Sequence, residues 1–148
     1  MGWTVQCAEV KRYTEDEAGL AYLSVVLAER PVGRGRYIEF QVALDEDEAE
    51  EGYCVMDAPP PSYGGSIAAL AMEVGTHKTL YGGVEECRLD KEVLTLRFSS
   101  SARKLFRWPR ELRLRLDLPI GRLDVLRPAL LEVFSIAPPG ESAPRLLL

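Results

Sequence analysis

Six carboxylates fall within seven residues, Asp45-Glu46-Asp47-Glu48-Ala49-Glu50-Glu51. Oxygen donors in this number raise the question of a divalent cation. A calcium loop needs its donors at alternating positions and a glycine at its sharp turn. Here the acids are nearly continuous and Gly52 comes too late. Mutual repulsion keeps the run out of any core, so the expectation is an exposed loop or a very short helical turn. Two uses are left to it. It is solvated, or it is a protein-facing patch that stands in for phosphates when the partner is basic.

Tyr81-Gly82-Gly83 invites comparison with a phosphate-cradling glycine loop. Such a loop lies between a strand and a helix, so that free amides point at the anion. Val84 instead opens a strand, and the cradle is rejected. The glycines then serve a structural turn, permitting positive φ or close backbone approach at a bulge or hairpin. Tyr63-Gly64-Gly65 echoes the element, too briefly to make a repeat.

Cys7, Cys54 and Cys87 form an odd set without CxxC spacing, each inside an apolar or alternating segment. They read as reduced, small hydrophobes, and a disulfide framework is not expected. His77 is the single histidine, which disfavours a Cys/His zinc site; a Cys-His nucleophilic pair is formally open. Arg103, Lys104, Arg107, Arg110, Arg113 and Arg115 interleave with Phe106 and Trp108, superficially like a nucleic-acid surface. A pI near 5.0 argues against that partner. No Ser/His/Asp set, paired-carboxylate cleft or GxSxG elbow is present. No catalytic, cofactor-binding or metal-ligating residues are therefore named.

The elements that would hold these groups read as follows. Thr4–Tyr13 alternates loosely as a first strand, Leu20–Ala28 is a buried strand, and Tyr37–Val42 is a third, giving an antiparallel meander. Tyr53–Met56 resumes strand after the acidic run. Pro59-Pro60-Pro61 is a stiff connection, and Ser66–Val74 is a short helix or an extra strand. From Val84 to Phe98 the apolar positions alternate, with one change of phase near Asp90-Lys91: two antiparallel strands and a tight turn. Serines 99–101 can cap a helix over 102–106 that Trp108-Pro109 stops. Glu111–Leu118 alternates leucines with a wet, mostly basic face, and Leu123, Leu126, Leu130 and Val133 recur at helical spacing despite Pro128. The fold class expected is α+β: a mainly antiparallel sheet of six to eight strands with two or three helices packed on one face. Residues 1–136 form one domain and 137–148 a mobile C-terminal tail.

A chain of 148 residues, 47% apolar and 28% charged, can bury its own core. Residues 1–75 carry 14 acidic and 5 basic side chains, residues 76–148 carry 9 and 13, and the net charge is −5. That asymmetry either steers a charged partner or marks two solvated faces of opposite sign. Met1–Val10 has no basic region leading an apolar block, and no apolar run nears the roughly 18 residues of a membrane span. The cytoplasm is the expected compartment, with no membrane and no nucleic acid as partner.

In order, Tyr37-Ile38-Glu39-Phe40-Gln41, the acidic segment, Gly52-Tyr53-Cys54-Val55, and Tyr81-Gly82-Gly83-Val84 with Cys87, Leu89, Leu94 and Leu96 resemble the immunity protein ten family of bacterial polymorphic toxin systems. A helical patch around Leu105 and a closing helix around Leu126 and Leu130 complete a likeness over roughly residues 37–134. The resemblance implies a non-enzymatic antidote that binds and blocks a co-encoded toxin, without cofactor or catalytic residues. Many toxin domains of this kind are basic, which makes Asp45, Glu46, Asp47, Glu48, Glu50 and Glu51 the expected contacts. Two alternatives stay open: a small-molecule binder or small enzyme with a pocket between sheet and helices, and a homo-oligomer joined through Glu111–Leu118.

Overall fold

The alternation from Thr4 to Tyr13 is interrupted at Gln6, and the interruption divides one expected strand between two sheets. In the computed structural model, which describes residues 2–18, 21–30, 35–45, 51–57 and 78–148, β1 (Gly2–Val5) and β2 (Cys7–Tyr13) flank that single residue. The Gln6 amide donates to the Ala28 carbonyl at 3.0 Å, while the Asp117 amide donates to the Val5 carbonyl at 2.9 Å. Backbone pairing thus changes partner within two residues.

β2 leads into the expected meander. It pairs antiparallel with β3 (Tyr22–Ala28), then β4 (Tyr37–Ala43), β5 (Cys54–Asp57) and β6 (Lys78–Tyr81). A helical turn, α1 (Glu15–Ala18), links β2 to β3. The second sheet has the order β1-β9-β8-β7-β10, built from β7 (Val84–Asp90), β8 (Val93–Phe98), β9 (Glu111–Leu116) and β10 (Arg145–Leu147). β7, β8 and β9 are antiparallel, and the edge strands β1 and β10 join in parallel. The β7–β8 hairpin closes over Lys91-Glu92 with Lys91 in the left-handed region, where the phase of the alternation changes.

The class is α+β and mostly antiparallel, but ten strands are described where six to eight are expected. The excess lies in short pieces. β1 is cut off at Gln6, and β10 is three residues long, too few for a period-2 pattern to be legible. β10 belongs to the segment expected as a tail; it pairs with β7 in the register Arg145↔Glu86 and Leu147↔Arg88. Glu111–Leu118 ends as a strand at Leu116. Ser66–Val74, Pro59-Pro60-Pro61, Tyr63-Gly64-Gly65 and His77 lie outside the described residues.

The helices pack on different strands. α2 (Ser100–Phe106) packs against β6 and β8, capped by Ser99, whose Oγ accepts from the Ala102 amide at 3.3 Å. Arg107 then turns left-handed at φ 57° ahead of Trp108-Pro109. α3 (Arg122–Val133) lies on β2, β3 and β4. Pro128 sits inside it and cannot donate to the Asp124 carbonyl, but both residues are exposed, so water can serve that carbonyl. Leu126, Leu130 and Val133 face a single core with Val25, Leu27, Ile38 and Phe40 of the first sheet and Leu94, Leu96, Leu112 and Leu114 of the second.

At the solvent edge of α3, Glu132 accepts both forks of Arg12 at 2.6 and 2.5 Å, tying the helix to β2. The guanidinium holds the Glu132 carboxyl below the usual carboxylate range, through its hydrogen bond first. A depressed folded value means stability that is present above the ordinary carboxylate range and lost as pH falls through the lowered one. Both side chains are well exposed, so Glu132→Gln is expected to cost under about 1 kcal/mol at pH 7 and to flatten the acid limb of the stability profile. Urea midpoints from pH 3 to 7 measure it.

Candidate functional site

Antiparallel pairing brings Asp45, where the acidic run begins, to the same end of the first sheet as a second acidic segment distant in sequence. Tyr13, Tyr22 and Ala43 align across β2, β3 and β4, so the β2–β3 connection and the β4–β5 connection leave the sheet at the same end. The Leu44 amide donates to the Ala21 carbonyl at 2.9 Å and fastens the two. Glu15 and Asp16 on α1 are exposed here, Asp45 is half-buried directly after β4, and Glu51 is exposed before β5. Glu46, Asp47, Glu48 and Glu50 lie outside the described residues. Tyr13 and Tyr22 stack at 4.5 Å, with Lys11 Nζ 4.7 Å from the Tyr13 ring. Glu15, Asp16 and Asp45 share this end of the sheet with a half-buried tyrosine pair, and tyrosine supplies contact area at low entropic cost. Sequence reading missed Glu15, Asp16 and both tyrosines as part of this end. The signal was the meander itself, whose register assigns the loops to ends.

Tyr81-Gly82-Gly83 proves to be a corner between sheets. β6 ends the first sheet at Tyr81 and β7 begins in the second at Val84, so two glycines carry the chain across, at φ 81° and 96°. Their amides are occupied: Gly82 donates to the Tyr53 carbonyl at 2.9 Å and Gly83 to Glu141 Oε1 at 3.3 Å. A carboxylate already stands where a phosphate oxygen would. The buried Tyr53 hydroxyl accepts from the Val84 amide at 2.9 Å and donates to the Val84 carbonyl at 3.2 Å, serving a residue at a shift of strand register. Tyr81 is exposed.

Other groups capable of chemistry are occupied by hydrogen bonds or, for the Tyr37 phenol and the Cys54 and Cys87 thiols, held un-ionised by burial. Glu39, on the outer face of the first sheet, accepts from Ser24 Oγ at 2.8 Å and also from the Tyr37 hydroxyl and Gln41 Nε2. A carboxylate with three donors has few lone pairs left to act as a base. Burial, then Glu39, pushes the Tyr37 phenol up and the Cys54 thiol up to about 11. Burial pushes Cys87 up to about 12, and all three cysteines are free. Thiols so placed are poor nucleophiles. Among the described residues no group of three His, Cys, Asp or Glu side chains is placed to hold a metal ion.

The basic face expected of Glu111–Leu118 is present. Arg113 and Arg115 are exposed on β9, alternating with buried Leu112, Leu114 and Leu116. The aromatics interleaved with the other basic residues do not accompany them to the surface. Phe106 is buried and stacks on Trp108 at 4.2 Å, and Trp108 also meets Phe98 at 4.6 Å.

The family model described as Immunity protein 10 matches residues 6–124, most of the chain, and the chain belongs to that family. The match takes in β2 and β3, upstream of the expected likeness, and stops inside α3. No curated protein and no solved structure matches the chain. No helix among the described residues is long and apolar enough to cross a membrane.

Proposed function

We propose that the protein is a non-enzymatic antidote, working in a bacterial cytoplasm, that binds a co-encoded toxin and blocks it. Membership of the immunity family is the observation that carries this reading. The acidic end of the first sheet is the contact surface, and its partner is a basic toxin surface. Asp45, Glu46, Asp47, Glu48, Glu50 and Glu51 supply the charge, and the neighbouring Glu15 and Asp16 extend it. Opposite charge of this density speeds encounter and rejects acidic partners, which an antidote present alongside many proteins requires. The reading involves no cofactor and no nucleic acid.

Replacing the six acids of 45–51 with Ser and Asn tests the surface. The variant is expected to fold, because the run cannot be core. Its association rate with the toxin encoded next to it is expected to fall at least tenfold at low salt. Full affinity and full protection of cells expressing the toxin would show the contact to lie elsewhere. Failure of the unaltered protein to bind that toxin at all would overturn neutralisation itself.

A further inference from the structure

The outward positions of the second sheet present arginines in excess. Arg113 and Arg115 of β9, Arg97 of β8 and Arg88 of β7 alternate with buried apolar residues, and Arg145 precedes the half-buried Leu146 of β10, against Glu111, Glu86 and Asp90. Register sets them in rows. One runs Glu111, Arg97, Glu86, Arg145 from β9 to β10, and the next runs Arg113, Thr95, Arg88. The glutamates of the first row are already engaged. Glu111 pairs with Arg113 of its own strand at 3.2 Å, and Glu86 lies 3.5 Å from Arg88 and 4.0 Å from Arg145. Arg97, between them, is left over: its Nε is shielded from water and has no hydrogen-bond partner. A desolvated donor without an acceptor is costly, and Arg97 is half-exposed, so the accessible part of its side chain can meet an incoming carboxylate. A concavity of about 610 Å³ opens on the neighbouring rows, where Arg88, Lys91 and Arg113 alternate with Asp90, Glu92 and Glu111; Arg97 stands outside its lining.

We propose that this face docks an acidic protein segment, with Arg97 as its central anchor. The net positive balance selects an acidic partner. The interleaved Glu86, Glu111 and Asp90 select against a polyphosphate, whose uniform charge would meet carboxylates in the rows on either side of Arg113, Thr95 and Arg88. Discrete carboxylates on a polypeptide can meet arginines and avoid the acids, and arginine is a common interface anchor. This surface is distinct from the acidic end assigned to the toxin, so the chain has two faces selecting partners of opposite charge.

The test uses fluorescence polarisation with a labelled decapeptide alternating Glu and Ala and a ten-nucleotide single-stranded DNA, at about 50 and 300 mM salt. The peptide is expected to bind, to weaken at least fivefold in the higher salt, and to weaken at least tenfold in Arg97→Gln and in the more exposed Arg113→Glu. Arg12→Gln, on the other sheet, is expected to leave it unchanged. Arg113→Glu keeps the test decisive if Arg97→Gln unfolds. No peptide binding, or binding indifferent to both substitutions, overturns the proposal. Tighter binding of the DNA overturns it in favour of nucleic acid. Self-association in sedimentation that Arg113→Glu abolishes overturns it in favour of a second copy of the chain. No toxin is used, so failure here leaves the proposed function standing.

Discussion

Phe134→Ala is expected to cost about 3–5 kcal/mol, the range for removing a large aromatic from a packed core. The ring is fully buried at the end of α3 and meets Phe40 of β4 edge-on at 4.9 Å and Tyr53 at 5.0 Å. It therefore joins three things: the helix, the first sheet, and the residue whose hydroxyl holds the corner at Val84. Alanine leaves a void that β4 and Tyr53 cannot both move to fill, since Tyr53 is fixed by two backbone hydrogen bonds. A domain with about 5–15 kcal/mol of stability would lose roughly a fifth of it or more. Urea unfolding measures the loss, and Phe134→Leu, which keeps most of the volume, is expected to cost about half as much or less. A cost below about 1 kcal/mol for the alanine variant would show that the site collapses freely and that Phe134 does not hold the three together.

Phe134 also marks where sequence reading stopped. Helical spacing picks out Leu123, Leu126, Leu130 and Val133, and their stripe is the face α3 lays on the first sheet. Phe134 falls one residue past the last helical position; it continues the i, i+4 spacing of Leu126 and Leu130, but its ring partners come from two segments far away in sequence. The hairpin of β7 and β8 was legible because alternation and a turn are local. The two-sheet architecture was not, because the crossings at Gln6 and at Gly82-Gly83 depend on which strand offers the next hydrogen bond. The candidate site divides in the same way. The acidic run is visible as composition, and the basic face of β9 is visible as alternation. That Glu15 and Asp16 join the first, and Arg88, Arg97 and Arg145 the second, follows only from register. Register also explains the charge asymmetry between the chain's halves. The first half supplies the acidic end of one sheet and the second half nearly all of the other sheet, so a difference along the sequence becomes a difference between surfaces.

Gly52→Ala is expected to rival the loss of Phe134, at about 3 kcal/mol or more, though it adds one methyl group and removes nothing. Gly52 follows Glu51 and precedes Tyr53, so it sets how the acidic connection enters β5. Two costs combine there. Its φ of 78° is left-handed, a conformation that costs an alanine about 1–2 kcal/mol. A Cβ would also stand 2.3 Å from the Pro138 nitrogen and 2.6 Å from the Ala137 carbonyl carbon, which are backbone atoms without a rotamer to turn aside. The Tyr53 amide donates to the Ile136 carbonyl at 3.1 Å, holding the two segments at that separation. Gly140 provides the comparison. It is equally left-handed at φ 83° but has nothing within 4 Å of an added Cβ. Gly140→Ala should therefore reveal the conformational cost alone, about 1–2 kcal/mol, and the difference between the two urea midpoints isolates the close approach. Equal losses would mean that residues 136–138 yield without cost. If Gly52→Ala instead loses the larger amount, and its toxin association slows at temperatures where it is still folded, then the same glycine that permits the packing also aims the acidic surface.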